Sequence, residues 1–214
     1  MSTYLHPTDD VVSAYRSLRS RIIEMTRLTS EADGDRPVPH CPAWRVRDLV
    51  AHLVGAPEDI IAGRLEGVAG DAWTQAQVDR HAGESMPALA DAWEATVAEF
   101  DAILPLIPAP VNSQLILDTV THEHDLCHAL GLIGPRSGLA VSVAVGWVLH
   151  MAEKGSPGRA ATLRASGLDD FDLLRVCTGR RSREQIAALG IDPTVIEQLT
   201  RGTPVSVPPA TIDE

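Results

Sequence analysis

The stretch Asp118-Thr-Val-Thr-His-Glu-His-Asp125 crowds ionisable side chains into an otherwise apolar segment. At about 100° per residue in a helix, Asp118 and His122 stand four apart and lie one above the other. Leu115 and Leu126 mark the ends of the same stripe, so the pair is expected to face a helical interior. A carboxylate and an imidazole in such a place need compensation, because an unpaired buried charge is costly. A divalent metal meets that need, and i, i+4 spacing lets two side chains reach one ion. An Asp–His hydrogen bond without metal meets it as well, and this segment alone leaves the two readings level.

A second segment, Trp44-Arg-Val-Arg-Asp-Leu-Val-Ala-His52-Leu-Val54, adds a histidine. His52 falls roughly 60° around from Leu49, at the edge of an apolar helical face. From there it could complete a three-ligand site with Asp118 and His122, since helical bundles house metals between facing helices. Two histidines and one carboxylate leave a coordination position open, which is the catalytic rather than the structural pattern for zinc. Asp48, one turn earlier, is placed to cap the helix or to orient His52.

The elements that must position these residues follow from periodicity and turn chemistry. A first helix is expected from Asp9 to Leu28, with Val11, Tyr15, Leu18, Ile22 and Met25 on one stripe. Three prolines then break the pattern between Arg36 and Pro42. A second helix covers Val46 to Val54, with Pro57 opening its continuation or a new one. Thr74 to Gln77 has capping-box spacing and suggests a short helix. A long helix is expected from Met86 to Leu106, a fourth from Gln114 to Leu130 capped by Ser113 and ended by Gly131, and a fifth from Gly138 to Glu153. Beyond Gly155 the expectation is a short strand at Ala160 to Ala165, then short helices starting near Ser182 and Asp192-Pro193, then an aperiodic tail with three prolines from Thr203. The organisation expected is a helical bundle over 1–154 and a small mixed subdomain over 155–214.

Composition bounds the rest. With 214 residues, 44% hydrophobic and 22% charged, the chain suits one core with a small appendage. No apolar run reaches the roughly 18 residues of a membrane span, and MSTYLHPTDD has no secretion-signal pattern, so the expected location is the cytoplasm. A net charge of −11 disfavours nucleic acid and anionic membranes as partners. Cys41, Cys127 and Cys177 are too few and too scattered for a disulfide framework or a CxxC metal site. His6, His40, His81, His128 and His150 read as solvated or packed histidines without a role in the site.

The segment His40-Cys-Pro-Ala-Trp-Arg-Val-Arg-Asp-Leu-Val-Ala-His-Leu53 resembles the CP-x-W-x-V-x-D-L-x-x-H-L signature of the mycothiol-dependent maleylpyruvate isomerase family, part of the DinB-like superfamily of metal-binding four-helix bundles. The likeness continues through Ala72-Trp-Thr-Gln-Ala-Gln-Val78, Asp118 to Leu126, and Leu174 to Gln185. It implies a mainly α protein: a DinB-like up-down four-helix bundle followed by a small, shortened α/β C-terminal subdomain. It implies a metal, usually zinc, held by His52, Asp118 and His122, with Asp118 standing where the family archetype carries glutamate.

The resemblance also implies chemistry. A low-molecular-weight thiol such as mycothiol would add to an electrophilic small molecule, giving isomerisation after reversible addition or a stable S-conjugate. Glu123, within the apolar arc, is a candidate general base. Arg80 is a candidate contact for a substrate carboxylate, and Asp125 a candidate acceptor for the spare N–H of His122. Arg180, Arg181 and Arg183 are read as structural charges, with anion binding near Ser182 as the other option. Two alternatives stay open: a metal-dependent hydrolase using activated water, and a non-catalytic metal-binding helical module, as monomer or homodimer.

Overall fold

The computed structural model describes residues 4–203 and 205–214. The first three residues of the N-terminal segment and Pro204 of the tail therefore lie outside the description. The protein is mainly helical, as expected, with one two-stranded sheet among the described residues.

Helix α1 (Thr8–Leu28) buries Val11, Tyr15, Leu18 and Ile22, the stripe read from the sequence, and carries Asp9 and Asp10 in its first turn, where the helix dipole favours them. A single turn, α2 (Glu31–Gly34), is capped by Ser30. The proline-rich break is not wholly irregular: β1 (Pro37–Val38) and β2 (Cys41–Arg45) form a short antiparallel hairpin.

Helix α3 (Val46–Ile61) runs through Pro57 without a break, so the second helix continues rather than restarting. Arg45 is a poor cap by type. Asp48 supplies the missing acceptor, its carboxylate taking the Arg45 backbone N–H at 2.9 Å and the side-chain Nε at 3.0 Å. Helix α4 (Asp71–Arg80) starts four residues earlier than its capping-box spacing suggested, and Thr74 instead donates to the Gly70 carbonyl at 3.1 Å.

The long helix expected from Met86 to Leu106 is three pieces: α5 (Met86–Ala95), α6 (Val97–Ile103) and a 3₁₀ turn at Leu104–Leu106. The Thr96 hydroxyl donates back to the Trp93 carbonyl at 2.8 Å, a local bond that competes with the helical ladder. Helix α7 (Val111–Leu130) takes in Ser113 rather than being capped by it, and Gly131 ends it at φ +70°.

Helix α8 (Leu139–Gly155) is followed by α9 (Arg159–Ala165), α10 (Asp170–Cys177), α11 (Arg183–Ala188) and α12 (Pro193–Thr200). The strand expected at Ala160 to Ala165 is corrected to α9. Its Ala-Ala-Thr-Leu-Arg-Ala run is rich in good helix formers, and Ala160 and Leu163, three apart, are its buried residues. The capping box at Ser182 and Gln185 and the Asp192-Pro193 start form as read.

Packing groups the chain into two units. One comprises residues 15–108 and 122–134; the other comprises the chain up to Ala14 with residues 109–121 and 135–214. The first has its core in Ile22, Val46, Leu49, Leu53, Val54, Trp93 and Leu126. The second buries Val141, Val145, Leu163, Leu173, Leu174, Ile186 and Ile196. No described helix is long and apolar enough to cross a membrane.

Candidate metal centre

Helix α3 is buried over most of its length, with Leu49, Val50, Leu53 and Val54 in the core, and this carries His52 inward to 4% exposure. On α7, Val120 and Leu126 are buried while Asp118 and His122 are half-buried. The rings of His52 and His122 meet edge to face, 5.3 Å between centroids and 88° between planes. Asp118 precedes His122 by one turn of the same helix. The indole of Trp44, on β2, stands beside both rings at 5.5 and 6.5 Å.

Each imidazole meets a partner at its Nδ1. His52 Nδ1 lies 2.7 Å from Gln77 Oε1, and His122 Nδ1 lies 3.2 Å from Asp125 Oδ2. Metal-bound histidines use one ring nitrogen for the ion and give the other to such a partner, which fixes tautomer and orientation. The Asp125 carboxyl is fully buried and also receives the Cys41 thiol at 3.9 Å. Cys41, His122 and Asp125 form a close group of metal-competent atoms. Two borderline nitrogen donors and a carboxylate oxygen suit zinc in a site with an open position, and a neighbouring thiol does not change that preference. The residues present fit a divalent metal.

The remaining candidates are engaged elsewhere. Both oxygens of the buried Glu123 accept from Arg21, at 2.7 and 2.9 Å. That hydrogen bond, against a smaller opposing effect of burial, raises the Arg21 pKa above its usual value. Arg80 donates to Glu58 at 2.9 Å and to Asp59 at 2.6 Å. His81, read as isolated, is buried and faces Glu58 at 3.2 Å and Glu84 at 3.2 Å. His40 and His128 bring their rings to 5.3 Å. Arg181 pairs with Glu214 at 2.6 Å, and Arg183 pairs with Glu197. Burial pushes the Cys127 thiol up to about 11 and the Cys177 thiol to about 12, so neither is a nucleophile near neutral pH.

Sequence reasoning passed over three residues that line or brace the site: Trp44, Gln77 and Cys41. All three fall inside the quoted motifs, so the signal was present as pattern. Nothing in helical periodicity assigns a role to a neutral glutamine 25 positions from its histidine.

The family model of the mycothiol maleylpyruvate isomerase N-terminal domain matches residues 15–125, which hold both histidines and the aspartate. No curated protein and no solved structure matches the chain.

Proposed function

The chain belongs to the mycothiol maleylpyruvate isomerase N-terminal domain family, and on that premise we propose that it is a metal-dependent enzyme using a low-molecular-weight thiol of the mycothiol kind. It acts as isomerase or S-transferase on an electrophilic small molecule. His52, Asp118 and His122 are the ligands, and zinc is the metal. The observation that carries this reading is the edge-to-face approach of the His52 and His122 rings, 5.3 Å between centroids, with Asp118 one turn before His122 on the same helix.

Bound there, a zinc ion supplies a lowered thiol pKa and hence a nucleophilic thiolate at neutral pH. The protein's own residues do the rest. Asp125 and Gln77 hold the two rings through their Nδ1 atoms, so neither imidazole has to reorganise when a ligand arrives. Trp44 covers the flank of both rings with an apolar indole. Asp118 and His122 keep part of their surface in solvent, which gives small molecules a way in. Glu123 and Arg80 act at one remove, Glu123 by anchoring Arg21 and Arg80 by anchoring Asp59. A net charge of −11 keeps polyanions such as nucleic acid away. The cytoplasm, where low-molecular-weight thiols are kept reduced, is the setting this chemistry needs.

The test is elemental analysis of the purified protein, followed by incubation with electrophiles in the presence and absence of mycothiol, with products read by mass spectrometry. Stoichiometric zinc and product formation that requires the thiol are expected. Turnover that is indifferent to thiol would replace this reading with hydrolysis by activated water.

A further inference from the structure

Behind His52 lies a chain of buried polar groups that the proposed reaction does not itself require. Asp59, 1% exposed, accepts from Arg64 Nε at 2.7 Å and Arg80 at 2.6 Å through Oδ1, and from Gln77 Nε2 at 2.8 Å through Oδ2. Gln77, with no exposed surface, turns its other end to His52. The two ends of a carboxamide are not equivalent: one only donates, the other only accepts. Two guanidiniums, which can only donate, hold Asp59 as an acceptor. An acceptor at Asp59 requires the Gln77 NH₂ to face it, so the Gln77 oxygen faces His52. The His52 atom opposite that oxygen must then carry the proton.

We infer that Asp59 and Gln77 form a relay that fixes His52 as its Nδ1–H tautomer and leaves Nε2 as the ring's lone-pair donor. Gln77 is thus a positioning residue for His52, and Asp59 positions Gln77. The inference rests on the metal-site reading for its purpose, but not for its logic.

A backbone feature supports the relay. Gly55, one turn after His52 on α3, lies where an added Cβ would come 2.5 Å from Gln77 Cβ and 3.2 Å from Gln77 Cα. Those atoms are fixed to the α4 backbone, so any side chain at position 55 would push α4 outward. The notch left by Gly55 is what allows a short glutamine to span from α4 to the imidazole.

The tautomer is read directly from the His52 ring nitrogens by ¹⁵N–¹H NMR of the metal-free full chain, with zinc affinity measured in parallel by competition with a chromophoric chelator. The wild type is expected to show a protonated Nδ1 and a lone-pair Nε2. Gln77→Leu should lose that preference and weaken zinc binding roughly 10–100-fold, the usual cost of losing a ligand's supporting partner. The double variant Gln77→Glu with Asp59→Asn restores donor and acceptor order at unchanged net charge and should recover both signals. Gly55→Ala, which keeps every relay residue, should weaken the same tautomer signal.

An Nε2-protonated ring in the wild type, or a tautomer unmoved in Gln77→Leu and Gly55→Ala, overturns the relay. Because the tautomer is read without metal, a wild type that binds no zinc but shows protonated Nδ1 refutes the ligand set and upholds the relay.

Discussion

The interior of this protein holds charged or polar groups in two different ways. In the C-terminal part, Arg175 has no exposed surface, and its guanidinium meets Glu214 and the Thr121 carbonyl, while Arg181 meets Glu214 and Asp172. Every donor there is answered by an acceptor of the chain, and positive charge by negative. On α3 and α7 the arrangement is inverted. Gln77 and Asp125 each meet one imidazole at its Nδ1, while the rings of His52 and His122 stand edge to face. Lone pairs brought together repel unless a proton or a cation lies between them. Closure of charge within the chain is what a structural cluster needs; convergence of acceptors is what the proposed metal site needs.

The comparison can be broken by substitutions that ought to separate stability from metal binding. The largest effect is expected for Arg175→Ala, which empties a fully buried site and leaves Glu214 with Arg181 as its partner. A loss of about 2–5 kcal/mol of unfolding free energy, the range for truncating a large buried side chain, read from the denaturation midpoint, should come with unchanged zinc content in the fraction that stays folded. His52→Ala and His122→Ala should do the opposite. Each should lower zinc affinity by more than about 100-fold, beyond what supporting partners cost, with helical circular dichroism close to wild type. Full metal occupancy in either variant removes that residue from the ligand set.

Asp118→Asn keeps the volume and removes the charge, and a drop in zinc affinity of roughly tenfold to 100-fold is expected by the same measurement. The smallest effect belongs to Asp48. Burial pushes its carboxyl up, but the hydrogen bonds and charge of Arg45, with that of Arg47, outweigh burial and hold its pKa below the usual 3.8. Its stabilisation is therefore fully present above that value and is lost as pH falls through the lowered one. Asp48→Ala should cost about 1 kcal/mol at pH 7, and the two proteins' stabilities should converge in acid, with no change in zinc affinity at neutral pH.

The parts of the fold legible in the sequence were those set by local repeats. The stripe of α1, the end of α7 at Leu130 before Gly131, and the caps at Ser182 and Asp192 depend on residues within a few positions of each other. The expectation failed where tertiary context chose between local options. Ala160 to Ala165 has too short a period to separate strand from helix, and burial of Ala160 and Leu163 on one side decided for helix. Thr96 divided a helix that its apolar face alone would have continued. The β-hairpin at Pro37 to Arg45 formed despite its prolines, and it brings Cys41 toward Asp125 and Trp44 toward the two histidines.

Residue types and four-residue spacing by themselves determined which side chains could grip a metal, because helical geometry makes Asp118 and His122 neighbours wherever the helix lies. They also determined that His52 belongs to a buried helix, since the apolar pattern around it admits little else. Only the tertiary structure decided that His52 meets His122 and which nitrogen it turns to Gln77. Those depend on separations of 70 and 25 residues, on a glycine notch at position 55, and on two arginines that orient an aspartate. Such relations are carried by three-dimensional packing and leave no period in the chain.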